Sequence, residues 1–517
     1  MPVLRIGGGL AELLAQVRLQ HPAHQPVDRA TDGGDLLQHR SAVGTGFQRA
    51  LQGIALAADA AHAGEHLPLF LGGMGHGSDP ETIVGDSIRS AFRRVHPAPD
   101  RLPGFLPSHA RAMSLPRRHH LLAVLLGASL LGCAATGTRP PPAAEPTIGE
   151  QREAVLFWSQ AEREAGFRRM QAQFPSDVAR RGAEVRELPV GDPLALPGGE
   201  AWLDDYMDRH HVAGLLVLHD GEVRLRRHGL GFGPDDRWES FSVAKSVTST
   251  LLGIALQQGH IHGLDDRLPV YIPELAGSAY ADVTVRQLLT MTSGVRWNED
   301  YTDPQSDVGQ MYRGACVGDQ AHVLSYLQRL PREWPPGTHW NYNTAETDLL
   351  GIVVERATGQ PLAHYLSEAI WKPYGMEADA YWIRDECDGS NTGGSGLSAT
   401  LADYARLGQF MLEGGRIDGE PVIAREWMEG AVQGQDAENA PGRGYGYQWW
   451  TGEGGSYSAV GIFGQMIHVD PARRLVIVQL AAWPRATSSE LVAARRGLIE
   501  RIRQAVDTEA TAPGGGR

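Results

Sequence analysis

The segment Phe241-Ser242-Val243-Ala244-Lys245-Ser246 holds a hydroxyl and an amine three residues apart. Ser242 to Gln258 reads as a long apolar helix ended by Gly259, so both side chains fall on one face of its first turn. A serine hydroxyl is a poor nucleophile until a base takes its proton. Lysine serves as that base when burial or a neighbouring cation lowers its pKa, whereas arginine stays protonated. The N–H groups at a helix N-terminus also favour developing negative charge. Lys245 is one of only two lysines, with Lys372, among 47 basic residues in a chain of 517. A capped helix with a surface lysine gives the same spacing. A single charge opening an otherwise apolar helix points to chemistry instead.

These two side chains need elements to position them. Glu150 to Gln173 and Glu200 to His210 read as helices. Val212 to Leu218 is a dense apolar run, His219-Asp220-Gly221 a turn, and Glu222 to Arg227 alternates, which together predict a β-hairpin. The middle, about 263 to 435, is mostly helices and loops, with helices at Val285–Met291, His322–Leu330, Ala345–Thr358 and Leu401–Glu413. Strands return at Tyr445–Thr451, Gln465–Val469 and Leu475–Ala482, before a last helix at Ser489–Val506. Strands at both ends with helices between predict an α+β domain whose sheet is closed by the two termini.

Hydrophobic and charged fractions of 42% and 21% suit a globular protein. A formal charge of −14 argues against nucleic acid as a partner. Three cysteines make neither a disulfide scaffold nor a four-cysteine zinc site. Residues 1–112 contain no lysine and little apolar periodicity. At Met113 a new pattern starts: Arg117 and Arg118, an apolar run from Leu121 to Leu131, then Gly132-Cys133. The run is too short to cross a bilayer and suits a signal peptide. It resembles a bacterial lipoprotein signal, which implies acylation at Cys133 and a lipid anchor in the cell envelope, facing the periplasm or exterior. The expected division is then a non-native or disordered extension over 1–112, a signal over 113–132 and a Pro-rich tether over 133–149. A hydrolase domain follows over 150–507, with a disordered tail over 508–517. In an oxidising periplasm Cys316 and Cys387 are a candidate disulfide, although sequence alone does not supply its geometry.

Five segments, from FSVAKSVTSTLLGIALQQG through VTVRQLLTMTSGV, PPGTHWNYNTAETDLLG and GSGLSATLADYARLGQFML to AVGIFGQMIHVDP, resemble the serine β-lactamase-like hydrolases in order. That superfamily includes class C β-lactamases, D-peptidases, esterases and 6-aminohexanoate-dimer hydrolases. The resemblance spans about residues 200–505. It implies a β-lactamase/penicillin-binding-protein-like α+β fold, with an antiparallel sheet from both ends of the domain, flanking helices and a mainly helical middle. Tyr342-Asn343-Thr344 resembles the family's Tyr-x-Asn element, 100 residues after Ser242, with threonine in place of the usual asparagine. The phenol of Tyr342 is thereby expected to share acid and base roles with Lys245. Ala459-Val460-Gly461 stands where the family carries Lys or His, Thr or Ser, and Gly. Only the glycine matches. Ile462 follows it, and its N–H is the expected second oxyanion donor beside that of Ser242.

The implied reaction is hydrolysis of an ester or linear amide through an acyl-enzyme on Ser242, with no metal or organic cofactor. Losing the cation and hydroxyl of the Ala459-Val460 positions counts against efficient β-lactam hydrolysis, because β-lactams carry a carboxylate that such groups hold. The alternatives are a β-lactamase or D-peptidase, and a non-catalytic ligand-binding lipoprotein of the same fold. No Gly-x-Ser-x-Gly occurs, so the nucleophile-elbow hydrolases lack their motif here. His119-His120 and His210-His211 have no partners at zinc-ligand spacing. Gly393 to Gly396 reads as a flexible stretch beside the site, and Trp449-Trp450 as aromatic packing at a strand end.

Overall fold

The Val212–Leu218 run and its alternating partner form a hairpin because Asp220 and Gly221 both take positive φ, 55° and 80°, as a two-residue turn of this kind demands. The structure, a computed structural model, describes residues 146–313, 316–442 and 444–511, all within the compact unit Ala134–Arg517. The expectations for residues 1–145, Cys133 among them, and for 512–517 lie outside the described residues.

In chain order the strands are β1 (Ser176–Ala179), β2 (Val212–His219), β3 (Glu222–His228), β4 (Trp238–Glu239), β5 (Ala380–Ile383) and β6 (Leu397–Ala399). They continue with β7 (Arg416–Ile417), β8 (Glu420–Pro421), β9 (Trp450–Thr451), β10 (Tyr457–Val460), β11 (Met466–Asp470) and β12 (Leu475–Ala481). The main sheet is antiparallel, in the order β3-β2-β12-β11-β10-β9. Its centre joins the N-terminal hairpin to the C-terminal strands, as expected of a sheet closed by both ends. β12 is buried along its whole length, with Leu401–Leu412 packed on it; Gly199–Arg209 packs on β2, and Arg503 of Ser489–Thr511 donates to Asp470 of β11. Gly408 allows that close packing: a Cβ there would lie 2.4 Å from Val476 Cγ1. A second sheet, β1-β5-β6-β4, lies at the start of the serine helix.

That helix, Val243–Gln257, buries thirteen of its fifteen residues. Its hydroxyls are satisfied by neighbouring backbone: Ser246 Oγ donates to Gln448 O (2.7 Å), Thr248 Oγ1 to Gly393 O (2.7 Å) and Ser249 Oγ to Tyr447 O (2.6 Å). The polar residues therefore clamp the helix to two loops instead of opposing its burial.

Several boundaries differ from the sequence reading. The single helix expected over Glu150–Gln173 is three, Ile148–Ala154, Gln160–Gly166 and Met170–Gln173. Thr147 with Glu150, and Ser159 with Glu162, form capping boxes that each start a new helix. The first also begins inside the expected tether. Ser489–Thr511 runs into the expected tail. The strand expected over Tyr445–Thr451 survives only as β9, because buried Gln448 takes φ 65° and its side chain binds the carbonyls of Leu288 and Leu289 (3.0 Å each). The short strands of the second sheet were not foreseen.

Cys316 and Cys387 are disulfide-bonded, across 71 residues of sequence. Closing a loop of that length restricts the unfolded chain by about 4 kcal/mol. The paired Cys316→Ser, Cys387→Ser variant is therefore expected to unfold at clearly lower denaturant, read by urea titration. Coincident midpoints would refute the contribution.

Candidate active site

The chain enters the serine helix through a strained turn. Phe241 takes φ 45°, a conformation that disfavours side chains. Its N–H is held by Glu239 Oε1 (2.9 Å), and its ring packs against Phe167 and Phe463, with centroids 4.9 and 5.3 Å away. Ser242 is thereby fixed at the helix N-cap, with Lys245 Nζ 2.9 Å from its Oγ.

Lys245 is 1% exposed. Its nitrogen faces three acceptors: Ser242 Oγ, Thr344 Oγ1 (3.0 Å) and the Gly394 carbonyl (2.8 Å). Burial pushes the amine down to about 8, while Glu299 and Asp348 hold it up. Two of its hydrogen bonds run one way only. A carbonyl can only accept. The Thr344 hydroxyl donates to Glu299 Oε1, so it also accepts from the lysine. A neutral amine has two N–H groups and one lone pair. With both N–H groups committed to Gly394 and Thr344, the lone pair points at Ser242 Oγ.

Glu299 is held for this task. Its carboxylate accepts from Trp297 Nε1, Tyr301 Oη (2.6 Å), the Thr344 N–H (3.0 Å) and the Thr344 hydroxyl. Asp348 holds the other arm: its Oδ1 accepts the Gly394 N–H at 2.7 Å. Burial raises its carboxyl to about 7. Gly394 is buried, and a Cβ there would lie 2.7 Å from Thr344 O. The stretch expected to be flexible is thus a hydrogen-bonded wall. Glu299, Asp348 and the Gly394 carbonyl were missed by sequence reasoning, and no local spacing marked them.

Tyr342 stands on the other side of the amine, its ring centroid 5.2 Å from Lys245 Nζ. The ring stacks on Trp450, and Trp340 and Tyr445 close the cluster, whereas Trp449 is buried elsewhere. Desolvation, then Glu299, push the phenol well above its ordinary range, with hydrogen bonding to Ser242 acting the other way. A phenol so raised holds its proton at neutral pH and is placed to donate, so Lys245 is the acceptor.

Gly461 runs alongside the nucleophile: a Cβ there would lie 2.4 Å from Ser240 O and 3.2 Å from Ser242 N. Among the described residues, neither the Ser242 N–H nor the Ile462 N–H donates to a protein acceptor. Ser242, Ile462 and Thr344 border one cavity of about 80 Å³. Ala459 is fully buried and Val460 half-buried, and neither offers charge or hydroxyl.

A hydroxyl bonded to a buried amine, with backbone donors beside a cavity, defines a serine hydrolase of the Ser-x-x-Lys kind. Comparison with known proteins agrees. The sequence model of the Beta-lactamase family matches residues 200–500. The 6-aminohexanoate-dimer hydrolase of Paenarthrobacter ureafaciens is 33% identical over 385 residues, covering 71% of this chain and 95% of that protein. Esterase EstB of Burkholderia gladioli is 33% identical over 199 residues, covering 34% of this chain and 49% of that protein. A solved Bacillus anthracis structure, provisionally named a 6-aminohexanoate-dimer hydrolase, shares the fold with a TM-score of 0.61 at 22% identity, covering 71% of this chain and 99% of that one. The chain belongs to the Beta-lactamase family, and it is a serine hydrolase acting on ester or amide bonds.

Only the neutral amine can take the Ser242 proton, so kcat/KM for an ester is expected to rise with pH through about 8. Glu299 holds that value up. Glu299→Gln is therefore expected to shift the rise to lower pH and to reduce its plateau, because the Thr344 hydroxyl loses its fixed acceptor. Steady-state pH profiles of both proteins decide this. An unmoved rise would sink the assigned coupling.

Proposed function

We propose that this enzyme cleaves esters and linear amides through an acyl-enzyme on Ser242, with Lys245 as base and Tyr342 as proton donor. The observation that carries the reading is the commitment of both amine N–H groups, which leaves the lone pair for Ser242. Ser242 Oγ attacks the acyl carbonyl as its proton passes to Lys245 Nζ. The N–H groups of Ser242 and Ile462 receive the oxyanion; a single such donor is worth roughly 3–4 kcal/mol in an acyl-transfer site. Collapse breaks the C–O or C–N bond, and the leaving group takes a proton from Tyr342, which Lys245 replenishes. Water attacks the acyl-enzyme by the same path in reverse, releasing the acid and freeing Ser242. No step needs a metal or organic cofactor. Ala459 and Val460 leave the substrate carboxylate of a β-lactam without a partner, which favours linear substrates.

A fluorophosphonate is expected to label the wild type on Ser242, located by mass spectrometry, and to leave Ser242→Ala unlabelled. A short-chain nitrophenyl ester is expected to turn over fastest, a linear aminohexanoate dimer next and a chromogenic cephalosporin slowest. Labelling that survives Ser242→Ala would overturn the nucleophile, and a faster cephalosporin would overturn the reading of Ala459 and Val460.

The proposal extends to location: translation starts at Met113, and Cys133 carries a lipid that tethers the enzyme in the envelope. Support comes from the arginines, the short apolar run and Gly132-Cys133 in sequence. In a bacterial host, Cys133→Ala is expected to move the protein from the membrane fraction to the soluble one. Equal partition of the two forms rules out the anchor.

A further inference from the structure

The cavity beside Ser242 has one wall from outside the region that matches the family. Val155, Leu156, Met170 and Phe174 line it, and all four precede residue 200. Phe241 and Ile383 add further apolar surface to the lining. A wall built from such side chains favours an apolar occupant, by burying its surface away from water.

The wall is anchored at both ends. At its start, Arg152 pairs with Glu386 at 3.0 Å and donates to the Arg384 carbonyl, while Arg313 Nε donates to Glu153 at 2.5 Å. Gly149 comes close enough to the chain at Tyr312 that a Cβ would lie 2.1 Å from its carbonyl oxygen. At its end, the Arg384 N–H donates to Pro175 O, and β1 pairs with β5 along four residues. Midway, the Glu239 N–H donates to Phe167 O at 2.9 Å. The segment is therefore a fixed part of the site.

The charged groups bordering the cavity are largely occupied. Glu239 accepts from the N–H groups of Phe241 and Gly396 and from Ser398 Oγ. Arg152 is engaged by Glu386 and Arg384, with Nε alone left unpartnered. We propose that residues 155–174 form the acyl subsite of this hydrolase and select an uncharged aliphatic acyl chain, an inference that rests on Ser242 being the nucleophile.

The test uses the full chain and a series of straight-chain 4-nitrophenyl esters from acetate to octanoate, with the ω-carboxylated six-carbon ester beside hexanoate. Each methylene buried is expected to raise kcat/KM by roughly threefold to fourfold, so hexanoate should exceed acetate by more than tenfold. Hexanoate should exceed its ω-carboxylated counterpart by at least roughly tenfold, since burying an unpaired carboxylate is costly. Leu156→Trp is expected to move the preferred length down and Phe174→Ala to move it up. Opposite shifts cannot come from a general loss of folding. A flat series, a preference for the ω-carboxylate through Arg152 Nε, or shifts in one direction only would overturn the subsite. Failure of the wild type on every ester would overturn the nucleophile itself, and the subsite with it.

Discussion

Lys245 is a buried amine with three acceptors around it and two acids within electrostatic reach. Burying an ammonium costs several kcal/mol unless opposite charge and hydrogen bonds offset it. Here the offset is partial, which serves catalysis. Burial lowers the amine to about 8, and Glu299 and Asp348 keep it from falling further. A fully solvated lysine would stay charged at neutral pH and remove no proton. A lysine buried without acids would lack the pull that draws the proton from serine. The distance between those extremes is set by two side chains, each held by backbone.

Most of the domain can be understood as holding the acceptors around that nitrogen. The Gly394 carbonyl faces the amine because Asp348 holds its N–H and Thr248 binds the carbonyl of Gly393. Thr344 is set by Glu299, which is gripped in turn by Trp297 and Tyr301. Asn343 caps the Thr344–Thr358 helix by accepting the Glu346 N–H, which fixes where Thr344 and Asp348 fall on its first turns. Ser242 is fixed by the strained Phe241 turn. Three separated stretches of chain converge on one atom, with Glu299 behind Thr344 from a fourth, so the site requires these parts of the domain to be packed together.

The parts of this that sequence disclosed are those with long-range regularity. The serine helix announced itself through its unbroken apolar run, and the hairpin through Asp220-Gly221. The second sheet stayed hidden because strands of two to four residues carry too little alternation to read. The expected N-terminal helix broke at Ser159, where a capping box starts a new helix and outweighs a pattern that was only weakly periodic. Glu299 was invisible for a different reason. It lies in an acid-rich loop 45 residues from Thr344, and only tertiary packing selects it over Asp300. Gly393 and Gly394 were misread because missing side chains suit a flexible linker and a tight backbone approach equally well. The structure shows the second, with buried backbone and the Thr344 carbonyl too near for any Cβ.

The scarcity of lysine takes on a definite meaning against this geometry. Lys372 pairs with Glu368 one helical turn away at the surface, a contact an arginine would make as well. Lys245 has no such substitute. Its acceptors surround a single nitrogen, which suits the tetrahedral donors of an amine, whereas a guanidinium spreads five donors over a plane. More importantly, a guanidinium keeps its proton under any condition the protein tolerates. In a chain that uses arginine almost everywhere else, the buried lysine marks the position where a cation must also become a base.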